Sequence, residues 1–246
     1  MIFKSIYTSN MDKKAFTIAE VLITIGILGI VMAMTLPNLI KDYRKKVTVE
    51  QLKKAYSVVS NALEMSQHEN GDLKYWNVQN LGSTSDRYSI VITNFLNTYI
   101  LPYMKIKYNC GTKCEAQKNV KRYALNGQER SWYDQFYYII YLDDGSILSF
   151  MIDNDGKNWK WLHIYYDING NKRPNIYGID IFAFTLFGND NHAIRFVGWD
   201  KTRAQMLSAD HSEGCNVNAS HQYAGEYCGA LIMYDGWKIS KDYPWK

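Results

Sequence analysis

Four cysteines, five histidines and a short run of aspartates and asparagines are the residues of this 246-residue chain whose types and spacing could do chemistry. Cys110 and Cys114 bracket Gly111-Thr112-Lys113, and Cys215 and Cys228 bracket a longer segment. An even count in two close pairs suggests disulfides and an oxidising compartment, with near-neighbour pairing the preferred one of three connectivities. The second bridge would close about 14 residues and contribute roughly 3 kcal/mol through loop entropy. Zinc held by His211, Cys215, His221 and Cys228 is the rival; the ligand types suit it, but no Cys-x-x-Cys pair is present. Asp167, Asn169, Asn175 and Asp180 offer hard oxygens around Gly170 and Gly178, chemistry that suits calcium, although Asp and Asn also build turns by bonding their own backbone. Asp153-Asn154-Asp155-Gly156 reads as a turn. His68, His163, His192, His211 and His221 show no metal-protease spacing, and neither a Gly-x-Ser-x-Gly elbow nor a phosphate-binding glycine loop occurs, so no enzyme is expected.

One further residue stands out for where it sits. Phe16 to Leu36 reads FTIAEVLITIGILGIVMAMTL, and Glu20 is its only ionisable residue. As a helix this stretch rises about 31 Å, the thickness of a bilayer's hydrocarbon core. A secretory signal with Lys13 and Lys14 before it and a cut after Ala33 is the competing reading, but the run exceeds the usual apolar length of about 15 residues. A carboxylate deep in the bilayer costs on the order of 3 kcal/mol, so Glu20 needs a partner. A cut just before Phe16 would supply one, a free amine close to Glu20 or to the Glu20 of a staggered neighbour, and opposite charges attract strongly in low dielectric.

Lys13-Lys14-Ala15 followed by Phe16-Thr17-Ile18-Ala19-Glu20-Val21-Leu22-Ile23 resembles the prepilin cleavage and methylation motif shared by type IV pilins and type II secretion pseudopilins. The resemblance implies a cut between Ala15 and Phe16 by a membrane-embedded prepilin peptidase and N-methylation of Phe16. It implies docking of subunits guided by Glu20, and a helix bend at Pro37. Ala15 stands where the family usually has glycine. It also implies an inner-membrane, single-pass subunit with a cytoplasmic N-terminus and an extracytoplasmic head. The subunit would assemble with itself and other pilin-like subunits, aided by an assembly ATPase and a platform protein. The expected segments are a leader at 1–15 (or one starting at Met11), a membrane and assembly helix at 16–36, its amphipathic continuation at 37–70, and a head at 71–246.

The elements that must position these residues follow from periodicity. Leu39, Tyr43, Val47, Leu52, Ala55, Val59, Ala62 and Met65 recur at helical spacing, with Asn70-Gly71 as a stop. Gly26, Gly29 and Ala33 share one helix face and allow close helix approach. A second helix is expected over Asp86–Ile100, capped by Ser85. Gln135–Leu142 and Ser146–Ile152 flank Asp143-Asp144-Gly145, a hairpin signal, and Trp159–Tyr166, Ile179–Phe187 and Ala193–Trp199 are further strand candidates. The fold class is α+β: a long helix packed on an antiparallel sheet. Hydrophobic residues at 47% suffice for a core, and a net charge of +4 is too mild to imply nucleic acid. Lys41, Arg44, Lys45, Lys46, Lys53 and Lys54 follow the apolar run, which the positive-inside rule taken alone would place in the cytoplasm. They read as a solvated or headgroup-facing surface. An anchored or secreted binding module is the alternative function, and an exported hydrolase a third.

Overall fold

The computed structural model describes residues 17–77, 85–132, 136–154, 159–188 and 194–245. The chain divides into two units, Met1–Arg44 and Lys45–Lys246. Helix α1, Ile18–Asn70, contributes to both. In the first unit every residue from Thr17 to Arg44 is exposed. The helix runs unbroken through Pro37, which lacks the N–H that would otherwise bond the Ala33 carbonyl. The helix stops where expected. Gly71 takes φ +76° and donates its N–H to the Gln67 carbonyl at 2.9 Å, the left-handed C-terminal cap that glycine adopts without strain.

The second unit is the head. α2 covers Ser85–Tyr99, so Ser85 opens the first turn instead of capping it. A six-stranded antiparallel sheet runs in the order β1-β4-β5-β6-β7-β8, from β1 (Tyr108–Thr112), β4 (Tyr138–Tyr141), β5 (Ile147–Asn154), β6 (Trp159–Asp167), β7 (Ile181–Phe187) and β8 (Arg195–Phe196). A separate hairpin pairs β2 (Arg122–Tyr123) with β3 (Glu129–Arg130), and two short helices follow the sheet, α3 (Arg203–Leu207) and α4 (Cys228–Tyr234). The expected Asp143-Asp144-Gly145 hairpin joins β4 to β5. Gly145 has φ +86°, and Asp144 Oδ1 accepts the Ser146 N–H at 3.0 Å. The strand expected over Ala193–Trp199 shrinks to two paired residues, because the chain enters turns from Val197 to Asp200. Gln135, Asp155, Gly156, His192 and Ala193 lie outside the described residues.

Alternation places two sets of side chains on the sheet, and both are buried. Tyr138, Ile140, Leu148, Phe150, Ile152, Leu162, Ile164, Tyr166, Phe182, Phe184 and Leu186 share a core with Val49, Leu52, Val59 and Leu63 of α1 and with Ile92, Phe95 and Leu96 of α2. Ile139, Ile147, Tyr165, Ile181 and Ala183 on the opposite face pack with Trp132, Tyr177 and Cys114. A strand covered on both sides carries no polar alternation, which is why β7 reads IFAFTLF. Tyr56 of α1 ties the far end of the sheet down. It donates to the Ile194 carbonyl at 3.1 Å and stacks on Phe196 with ring centroids 5.8 Å apart.

Two arginines from the β2–β3 hairpin are buried against the second face. Arg130 bonds Glu226 Oε1 at 2.8 Å with its guanidinium 4.0 Å from the Tyr177 ring, and Arg122 lies 3.8 Å from the Trp132 ring. Burial raises the Glu226 carboxyl above its ordinary range while Arg130 pulls it back. Removing one member of such a pair leaves an uncompensated buried charge. Glu226→Gln should therefore lower unfolding free energy by about 3 kcal/mol, whereas the paired change Glu226→Leu with Arg130→Met should lie closer to the natural protein. Denaturant midpoints of the full chain in detergent check this; equal losses for the single and paired changes would contradict it.

Candidate functional site

Of the residues singled out by sequence, one group lies on the first turns of α1 and another at the loop between β6 and β7, while the cysteines and histidines lie elsewhere. Ala15 and Phe16, the expected cleavage and methylation residues, lie outside the described residues. Glu20 follows in the first turn of α1, with its Oε2 accepting both the Thr17 N–H at 2.9 Å and the Thr17 hydroxyl at 3.0 Å. From there to Leu36 the helix carries no other ionisable group, and its two threonine hydroxyls bond within the segment. The Thr24 hydroxyl donates to the Val21 carbonyl at 2.8 Å and the Thr35 hydroxyl to the Val31 carbonyl at 2.9 Å. Satisfying polar groups within the segment is what a hydrocarbon environment demands, and α1 is long and apolar enough to cross a membrane. A Cβ added at Gly26 or Gly29 would meet nothing within 4 Å, so the first unit by itself does not require glycine there.

Both expected disulfides are formed, Cys110–Cys114 and Cys215–Cys228. This overturns the zinc alternative, since a disulfide offers no thiolate to a metal. His211 and His221 instead lie beside the rings of Tyr227 and Tyr223. Cys110 is the unpaired residue where β1 shifts register between Asn109 and Gly111, so the bridge clips a bulge on the edge strand. The His163 ring lies tilted against the Trp161 ring, with centroids 4.2 Å apart, and burial, followed by Arg130, pushes it down to about 4.

The loop residues Asp167, Asn169, Asn175 and Asp180 are brought together. Asp180 accepts the Asn175 N–H at 2.8 Å, the Ile176 N–H at 2.6 Å and the Asn169 side-chain amide at 3.2 Å, which is the turn-building role. Gly170 is required here, because a Cβ on it would sit 2.5 Å from the Gly145 carbonyl oxygen. Asp167 is wholly buried, 3.5 Å from the equally buried Arg122. Burial pushes its carboxyl up to about 8 despite Arg122, and burial also raises Asp180. The turn accounts for Asp180 but leaves Asp167 Oδ1, Asn169 Oδ1 and Asn175 Oδ1 buried without a hydrogen-bond donor. Two carboxylates and two amide oxygens fit a hard cation in chemistry. Arg122 opposes that fit by already facing Asp167, and among the described residues no group of three acidic, histidine or cysteine side chains is placed to hold a metal. Arg122, Arg130 and Glu226 escaped sequence reasoning; Arg122 and Arg130 sit in two-residue strands that carry no periodic signal.

A family model described as "Family of unknown function (DUF6613)" matches residues 38–246. A second, "Prokaryotic N-terminal methylation motif", matches residues 10–36, the stretch that contains Glu20 and the expected cleavage bond. No curated protein and no solved structure matches the chain. With its head and the continuation of its helix covered by the first model, the chain belongs to the DUF6613 family, and it carries ahead of that region the N-terminal methylation motif of type IV pilin-like precursors.

Proposed function

We propose that this protein is a structural subunit of a type IV pilus or a type II secretion pseudopilus, cut between Ala15 and Phe16, methylated at Phe16 and assembled through α1. The observation that carries the reading is a helix exposed from Thr17 to Arg44, apolar as far as Leu36 apart from one carboxylate at Glu20, and matched over residues 10–36 by the methylation-motif model. Exposed apolar surface of this extent demands another apolar phase. Lipid supplies it before assembly, and the helices of neighbouring subunits supply it afterwards. Prepilin peptidase, an assembly ATPase and a platform membrane protein are the partners this implies. Pro37 serves as the point where the helix bends to fit the filament. The two disulfides support an extracytoplasmic head, and hence a single span with a cytoplasmic N-terminus.

Mass spectrometry of the natural protein distinguishes the alternatives. Methylated Phe16 at the N-terminus supports the filament subunit, whereas an uncut chain supports a single-span binding module. Glu20→Ala should leave the head folded and reduce filament incorporation about tenfold or more, the factor for losing an ion pair worth ~1.4 kcal/mol in low dielectric. Unimpaired incorporation would remove the role given to Glu20.

We also propose that the loop formed by Asp167, Asn169, Asn175 and Asp180 takes calcium, supported by its three donor-free buried oxygens. Calcium at about 100 times its dissociation constant would add about 2.7 kcal/mol of stability, seen as a rise in Tm that a chelator reverses. Asn169→Ala, which spares the turn bonds of Asp180 to the backbone, should weaken the effect. A Tm indifferent to calcium up to about 10 mM, above the range of extracellular calcium modules, assigns those oxygens to buried water instead.

A further inference from the structure

Glu20 is already engaged within its own chain. Thr17 donates twice to Glu20 Oε2, and the Thr17 hydroxyl oxygen accepts the Glu20 N–H at 3.2 Å. This reciprocal arrangement is a capping box, in which the side chain of the residue before the helix and that of the third helical residue each satisfy the other's backbone N–H. Its bonds all fall on one carboxylate oxygen. Glu20 Oε1 receives no donor from the described residues.

A glutamate at a helix start has three rotatable side-chain bonds, and ordering it at the moment of docking opposes association. Here the ordering is done beforehand. The hydroxyl and backbone N–H of Thr17 hold one oxygen, so the carboxylate stays close to the helix start with its second oxygen open. In hydrocarbon the arrangement has a further effect, since a carboxylate with two donors is less costly to keep in the membrane while the subunit waits.

From these bonds we infer that Thr17 is a positioning residue for filament docking: it aims Glu20 so that Oε1 faces the amine of a neighbouring subunit. The inference rests on the filament reading and concerns a residue to which that reading gives no role. It separates positioning from simple helix capping. Aspartate caps helices at least as well as threonine, but it gives Glu20 no hydroxyl donor and sets a like charge beside it.

The test compares Thr17→Ser, Thr17→Val and Thr17→Asp in the full chain, measuring cleavage by N-terminal mass and incorporation by the subunit content of sheared filaments. The expected result is normal cleavage in all three and normal incorporation for Thr17→Ser. Thr17→Val should incorporate about threefold to tenfold less, the factor for one side-chain hydrogen bond, and Thr17→Asp should fall at least as far. In a Glu20→Ala background, Thr17→Val should add no further loss, because both changes remove the same interaction. Normal incorporation of Thr17→Val or Thr17→Asp while Glu20→Ala fails would overturn the positioning role and leave the filament reading standing. Uncut Thr17→Val would overturn it too, by placing the effect in processing. Normal incorporation of Glu20→Ala would bring down both.

Discussion

A single carboxylate in the apolar stretch of α1 up to Leu36 sets the terms for that stretch. Low dielectric makes an unpartnered Glu20 expensive and a partnered one strongly directional. Thr17 meets part of that demand from within the chain, through hydrogen bonds to one oxygen, and no donor among the described residues reaches the other. Beyond it, the hydroxyls of Thr24 and Thr35 donate to carbonyls of the preceding turn, so the segment as far as Leu36 presents hydrocarbon outward. A segment built this way has one polar specificity element and a large nonspecific surface. It is long and apolar enough to cross a membrane, and under the proposed filament reading the same surface would pack against other helices.

The head meets a different constraint. Its sheet is covered on both faces, one by α1, α2 and residues that follow the sheet, the other by Cys114, Trp132 and Tyr177 with the arginines of the β2–β3 hairpin beside them. Covering the second face with a short hairpin brings two arginines into the interior. Each is placed beside aromatic rings and a carboxylate, Arg122 with Trp132 and Asp167, Arg130 with Tyr177 and Glu226. The two pairs are not equivalent. Arg130 and Glu226 make a short bond at 2.8 Å, whereas Arg122 and Asp167 are separated by 3.5 Å and leave Asp167 Oδ1 without a donor. With that atom, three buried oxygens at the β6–β7 loop are left without a donor.

The two disulfides brace an edge strand and an irregular segment. Cys110–Cys114 closes over a bulge on the edge strand β1, where unpaired backbone groups would otherwise invite pairing with another chain. Cys215–Cys228 anchors the start of α4 to the irregular segment after α3, and Gly178 passes so close that a Cβ would lie 2.5 Å from the Cys228 sulfur.

What the sequence alone determined was whatever depends on neighbours in the chain. The length of the apolar run, the Asn70-Gly71 stop, the Asp144-Gly145 turn and the near-neighbour disulfides are local, and each stands where the residues place it. The strands β5 and β6 were legible for the same reason, through alternation and aromatic content. Strand β1, with a cysteine bulge and a glycine in five residues, was not legible, and β8 kept only two of its seven expected residues. Tertiary structure decided the burial of Arg122 and Arg130. Asp167 lies 45 residues from Arg122, and Glu226 lies 96 residues from Arg130. An arginine's ordinary place is the surface, and only a distant carboxylate and ring brought to it by folding make the interior tolerable. The same holds for the donor-free oxygens of the β6–β7 loop. Their residue types were visible in the sequence, but whether each oxygen meets a donor depends on packing from elsewhere in the chain.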